Sequence, residues 1–80
     1  MYFVYILQSI HHPKQLYTGF SHDIDSRLDE HNAGKSVHTN KFKPWKMLFY
    51  CAFNDKKIVL DFEKYLKTGS GVAFRNKHLV

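Results

Sequence analysis

Phe3-Val4-Tyr5-Ile6-Leu7, a polar connection, Leu16-Tyr17-Thr18-Gly19-Phe20 and then Ser21 to Asn32 form the stretch whose reading decides the fold. Residues 2–8 are a near-continuous run of apolar, aromatic and β-branched side chains, the pattern of a buried strand. Ser9 to Gln15 is polar and holds Pro13, so it connects a hairpin. Leu16 to Phe20 returns as a second strand, with Gly19 marking either a bulge or a close approach. Ser21 is placed as the N-cap of a helix to Asn32, with Asp23 and Asp25 complementing the helix dipole. Ile24, Leu28 and His31 recur at helical spacing and give that helix an inward face, and Gly34 ends it. Arg27 lies on the flank of the same face. This layout makes Tyr5 and Tyr17 neighbours and swings a guanidinium back over the sheet.

Outward from this unit, Lys35 to Lys43 has no clear period and reads as a basic loop with room for a short helical turn. Pro44-Trp45 introduces a third strand, Lys46 to Phe53, apolar on both faces and expected to be covered on both. Cys51 within it reads as a small core residue. Asn54 or Asp55 caps a helix over Lys56 to Lys67, with Ile58, Val59, Phe62, Tyr65 and Leu66 as its apolar stripe and Glu63 at the border. Thr68-Gly69-Ser70-Gly71 breaks that helix and lacks the Gly-Lys-Ser/Thr of a phosphate loop. Val72 to Leu79 makes a last short helix. The order β-β-α-β-α-α predicts an α/β fold, a small three-stranded antiparallel sheet flanked by helices, in a single domain over residues 1–80.

An 80-residue chain builds only a small core, offset by seven Phe, five Tyr and one Trp. The single cysteine excludes an intramolecular disulfide and a cysteine-based zinc cage. No apolar run reaches a membrane span and no signal-peptide pattern opens the chain, so a cytoplasmic protein without a membrane partner is expected. Net charge is +5, and its distribution is uneven. The acids fall within Asp23–Glu30 and Asp55–Glu63, while Lys35, Lys41, Lys43, Lys46 and His38 occupy an acid-free stretch between them. Such a field suits a phosphate backbone, and composition alone does not choose DNA, RNA or mere solubility.

The six histidines show no zinc-ligand spacing, and no serine or cysteine stands at a nucleophile elbow. Tyr5, Tyr17, Arg27, His31, Glu63 and Asn76 remain. Phosphodiester hydrolysis needs an activated water, a cation against the charge developing on phosphorus, and help for the leaving oxygen. A phenol acts as base only in a strong positive field, because its ordinary pKa is ~10. Spacing leaves Arg27 open between a surface pair with Asp23 and a site cation. It leaves Glu63 open between a pair with Lys67 and a metal ligand.

Phe3-Val4-Tyr5, Tyr17-Thr18-Gly19, Arg27 with His31-Asn32-Ala33-Gly34, and Phe62-Glu63-Lys64 together resemble the motifs of the GIY-YIG nuclease superfamily. The likeness covers essentially the whole chain. It is greatest to the small single-domain members related to the nuclease domain of the bacterial nucleotide-excision incision subunit. Phe3 replaces the first motif's glycine, and Phe20 stands where some members carry a lysine. The resemblance implies a divalent-metal-dependent endonuclease acting on DNA, structured or damaged, in repair or recombination. It implies that Tyr5 and Tyr17 position or deprotonate the water, that Arg27 binds the scissile phosphate, and that Glu63 holds one Mg²⁺ or Mn²⁺ ion. Lys35, Lys41, Lys43 and Asn76 are expected on the nucleic acid, His31 either on its phosphate or as a helix-end hydrogen bonder, and Gly19 is expected to be structural. The rivals are a nucleic-acid-binding module with little or no turnover, and a subunit that needs a protein partner. Oligomeric state is left open.

Overall fold

The computed structural model describes residues 1–80. β1 (Tyr2–Ser9) is the central strand of three, with β2 (Leu16–Ser21) and β3 (Trp45–Phe53) antiparallel on either side. Its apolar run fits that place, since Val4, Tyr5, Ile6 and Leu7 are all fully buried. Successive side chains of a strand point to opposite faces. Val4 therefore joins Val59 and Leu66, while Tyr5 and Leu7 join Trp45 and Leu28. It follows that α1 (Ile24–Asn32) covers the Tyr5 face and α2 (Lys56–Leu66) covers the Val4 face. α3 (Gly69–His78) packs on α2, and Leu79 just beyond it reaches the Val4 cluster. The α/β architecture is the expected one.

The register fixes the site. Tyr5 lies opposite Gly19 on one side and Tyr50 on the other, and Leu7 lies opposite Tyr17. A bulge after Ile6 pairs Leu7 with Met47 and leaves Leu48 without a partner.

Three local expectations are corrected. Asp23, not Ser21, caps α1, its carboxylate accepting from Ser26 N at 3.1 Å. Ser21 is held in β2 opposite Phe3, and its hydroxyl accepts from Asp23 N at 3.0 Å. β3 is an edge strand, and its Tyr5-side row is covered at one end only: Trp45 is 4% exposed, Tyr50 57%. The nine-residue α1 is too short to roof that end of the sheet. Finally, Gly69-Ser70-Gly71 is the first turn of α3 and not a break of several residues. Thr68 caps it, with Gly71 N donating to Thr68 Oγ1 at 3.1 Å. A Cβ at Gly71 would overlap the Tyr65 carbonyl, so the glycine is what lets α3 start against the end of α2.

The basic loop is pinned at several points around a short 3₁₀ turn, Asn40–Phe42. Asn32, the last residue of α1, accepts from Trp45 N at 2.5 Å and donates to Trp45 O at 3.1 Å. Its carboxamide thus acts as a strand partner for the start of β3. Ser9 Oγ donates to Phe42 O at 2.7 Å, and Trp45 Nε1 donates to Thr39 O at 2.8 Å.

Candidate active site

Tyr5 is 0% exposed, and its ring lies across Gly19. A Cβ at Gly19 would overlap the phenol oxygen and stand 2.5 Å from Tyr5 Cζ, so the glycine is the space the phenol occupies. Tyr17, two residues before it, brings a second ring 6.3 Å away, centroid to centroid. His31 comes up from α1 between them, 6.0 Å from Tyr5 and 5.0 Å from Tyr17. Its Nε2 is 2.9 Å from the Tyr5 hydroxyl, and its Nδ1 is 2.6 Å from Thr39 Oγ1. Arg27 lies one turn earlier on the same helix, beside the Tyr5 phenol. Its Nη1 donates to Glu30 at 2.9 Å, while its Nε is shut off from solvent and has no acceptor.

The charges follow from this packing. Burial pushes the Tyr5 phenol above its ordinary pKa, and the Arg27 guanidinium pulls it down without winning. Tyr17 and Glu63 add to the upward push. No hydrogen bond of good geometry joins Arg27 to Tyr5, yet the phenol is the largest influence raising Arg27. Burial holds His31 below its ordinary value, helped by Arg27 and opposed by Glu30. His31 is therefore a neutral imidazole at neutral pH, with one ring nitrogen donating and the other accepting.

The structure brings together Tyr5, Tyr17, Arg27 and His31, from two strands and one helix. His31 lies on the inward face of α1, 1% exposed with both ring nitrogens engaged, which corrects its expected contact with a nucleic acid. Facing inward across α1, it has no surface to offer a nucleic acid. Asn76 is exposed on α3, where it accepts from Arg75 Nε at 3.1 Å. Lys35, Lys41 and Lys43 are exposed on the loop, Lys41 Nζ lying 5.5 Å above the Phe42 ring. Phe20 faces away from the two phenols and packs with Val4, its ring 6.2 Å from that of Tyr2.

Glu63 belongs to the helix on the other face of the sheet. Its side chain is 17% exposed and accepts from Lys67 Nζ at 2.6 Å. Its field reaches Tyr5, but no hollow is lined by Tyr5, Tyr17, Arg27 and Glu63 together. The four share no single pocket, because Arg27 is on the helix over the Tyr5 face of the sheet and Glu63 on the helix over the Val4 face.

Two residues of the site carried no sequence signal. Thr39 lies in an aperiodic loop, and Glu30 is one of four acids on or before α1.

As a metal site, no three His, Cys, Asp or Glu side chains cluster. What Glu63 offers is one carboxylate. That fits a hard cation which keeps most of its water and shares a substrate phosphate, as Mg²⁺ does, and does not fit a zinc cage.

The profile of the GIY-YIG catalytic domain matches residues 1–76. A UPF0213 protein of Streptococcus pyogenes serotype M3 (strain SSI-1) is 33% identical over 66 residues, which are 81% of this chain and 70% of that protein. A UPF0213 protein of Streptococcus pyogenes serotype M5 (strain Manfredo) has the same identity and coverage. No helix of the chain is long and apolar enough to cross a membrane.

Proposed function

The chain belongs to the GIY-YIG catalytic domain family, a nuclease family, and from that premise we propose a divalent-metal-dependent endonuclease that hydrolyses DNA phosphodiester bonds. Structured or damaged DNA, of the kind met in repair and recombination, is the proposed substrate. The observation that carries the reading is the meeting of Arg27 with Tyr5 and Tyr17. The Arg27 side chain is 39% exposed beside the Tyr5 phenol, so its guanidinium is a fixed cation that a phosphodiester can reach from solvent.

In this reading Arg27 exchanges its bond to Glu30 for the scissile phosphate and offsets the charge that develops there. Tyr17, half-buried where Tyr5 is fully buried, is the phenol that orients the attacking water. Tyr5 stands behind it, kept protonated by burial and fixed by His31. Glu63 would hold the divalent ion, which when bound supplies a Lewis acid and charge for the leaving oxygen. Lys35, Lys41 and Lys43 would contact the phosphate backbone on either side.

The test is cleavage of branched, flapped and nicked DNA with Mg²⁺ or Mn²⁺ and with chelator, by wild type, Arg27→Ala and Glu63→Gln. Metal-dependent cutting by wild type, lost in both variants with DNA binding retained, is expected. Binding without cutting by wild type on every substrate would replace the enzyme with a binding module.

A further inference from the structure

The loop from Lys35 to Pro44 sinks a single side chain completely, and its choice is chemically odd. Val37, the aliphatic residue of the loop, is 88% exposed, whereas Thr39 is 0% exposed. A loop anchored only by the hydrophobic effect would bury the valine. Thr39 is instead held at both ends. Its hydroxyl meets His31 Nδ1 at 2.6 Å, and its carbonyl accepts the Trp45 indole N–H at 2.8 Å. On the far side of the imidazole, Nε2 meets the Tyr5 hydroxyl at 2.9 Å. Three buried polar groups thus form one line from the basic loop to the central strand.

A neutral imidazole has one N–H, and the nitrogen that carries it is set by the partner of the other. The Thr39 hydroxyl can donate to Nδ1 or accept from it, and Nε2 then takes the opposite role toward Tyr5, so the two bonds are set together. We propose that Thr39 is a positioning residue of the nuclease site, setting the ring and proton of His31 and through it the Tyr5 phenol. The same hydroxyl makes the seating of the Lys35–Lys43 loop and the geometry of the site one arrangement. This inference rests on the endonuclease reading above and adds a residue to it.

The experiment compares Thr39→Val, which keeps the shape and removes the hydroxyl, with Thr39→Ser, which restores it. Nitrogen-15 spectra of the His31 ring report its tautomer without any substrate, with His31→Gln assigning the signal. Single-turnover cleavage of the substrate that wild type cuts gives the second readout, and Kd for the same DNA in Ca²⁺ the third. Expected are a single His31 tautomer in wild type and Thr39→Ser, and a changed or mixed one in Thr39→Val. The Thr39→Val cleavage rate should fall on the order of 10- to 100-fold, as a reacting group misplaced by about 1 Å does, with Kd within about twofold. Thr39→Ser should recover most of the rate, which a loss of stability alone would not track. Should Thr39→Val give no dispersed spectrum, Thr39→Ala, which leaves space and causes no clash, is measured in its place. An unchanged tautomer, or an unchanged rate, overturns the proposal while wild-type cutting leaves the nuclease reading intact. A wild type that cuts nothing overturns that reading instead, and the role of Thr39 with it.

Discussion

Gly19→Ala is the substitution that most directly questions the site. Gly19 has no left-handed φ and lies in an extended strand, so alanine meets no backbone strain there. At an unstrained position the change would add roughly 0.4–1 kcal/mol of stability by restricting the unfolded chain. The surroundings reverse the sign. The new Cβ would overlap the Tyr5 oxygen, stand 2.5 Å from Tyr5 Cζ and 3.0 Å from Tyr17 Cε2. Carbon contacts settle near ~3.5–4.0 Å, so the Tyr5 ring must retreat by about 1 Å. Its hydroxyl starts 2.9 Å from His31 Nε2, and a shift of that size breaks the bond. Overpacking costs about 1–3 kcal/mol and an unmet buried donor a further ~1–3 kcal/mol. After the entropic gain the net loss is roughly 1–5 kcal/mol, which lowers Tm by at least about 5 °C in a domain of this size. Thermal unfolding followed by circular dichroism measures it. A Gly19→Ala protein that melts at or above wild type would refute the placement of the Tyr5 phenol over the glycine.

Asn32→Ala removes both bonds to the Trp45 backbone and leaves a part-buried N–H and C=O unpaired. A loss of about 1–3 kcal/mol is expected in denaturant titration, and Asn32→Asp, which keeps the acceptor, should lose less. The pH dependence has a definite sign at His31. Its folded pKa lies below the ordinary 6.5, so the unfolded chain takes up the proton first. Its contribution is complete above about pH 6.5 and is lost as pH falls through the lower folded value. Denaturant midpoints at pH 7.5 and 5.0 should therefore drop more in wild type than in His31→Gln, and equal drops would remove His31 as the cause.

The legible part of this chain is the part whose pattern repeats. The apolar run of β1, the return at Leu16, the helical spacing of Ile24, Leu28 and His31, and the positive φ of Gly34 all belong to local chemistry. They suffice to set Tyr5 and Tyr17 side by side. What was not legible depends on a second element. Gly69 and Gly71 read as a break because glycine is a poor helix former, yet Gly71 is in α3 because two helices approach at Tyr65. Ser21 and Asp23 are equally good caps by type, and the register of β2 against Phe3 decides between them. β3 is apolar on both sides, and nothing in its own pattern shows that it is an edge strand with Tyr50 left open. Thr39 has no period at all, and its place is set by a histidine eight residues earlier.

The two phenols, alike in the motifs, are separated by burial alone. A phenol becomes a base when a cation favours its anion by more than desolvation opposes it. At Tyr5 the guanidinium is present and desolvation is still the larger effect, so this side chain keeps its proton. A neutral phenol can donate or accept, and the Tyr5 hydroxyl meets His31 Nε2 at 2.9 Å. In the proposed nuclease, Tyr5 is assigned to holding a geometry, and orienting the water is assigned to a group that water reaches. Tyr17 is half-buried, one ring away, and flanked by the same histidine. The division of labour proposed for the two tyrosines thus rests on which of them lies on the central strand and which on the edge strand.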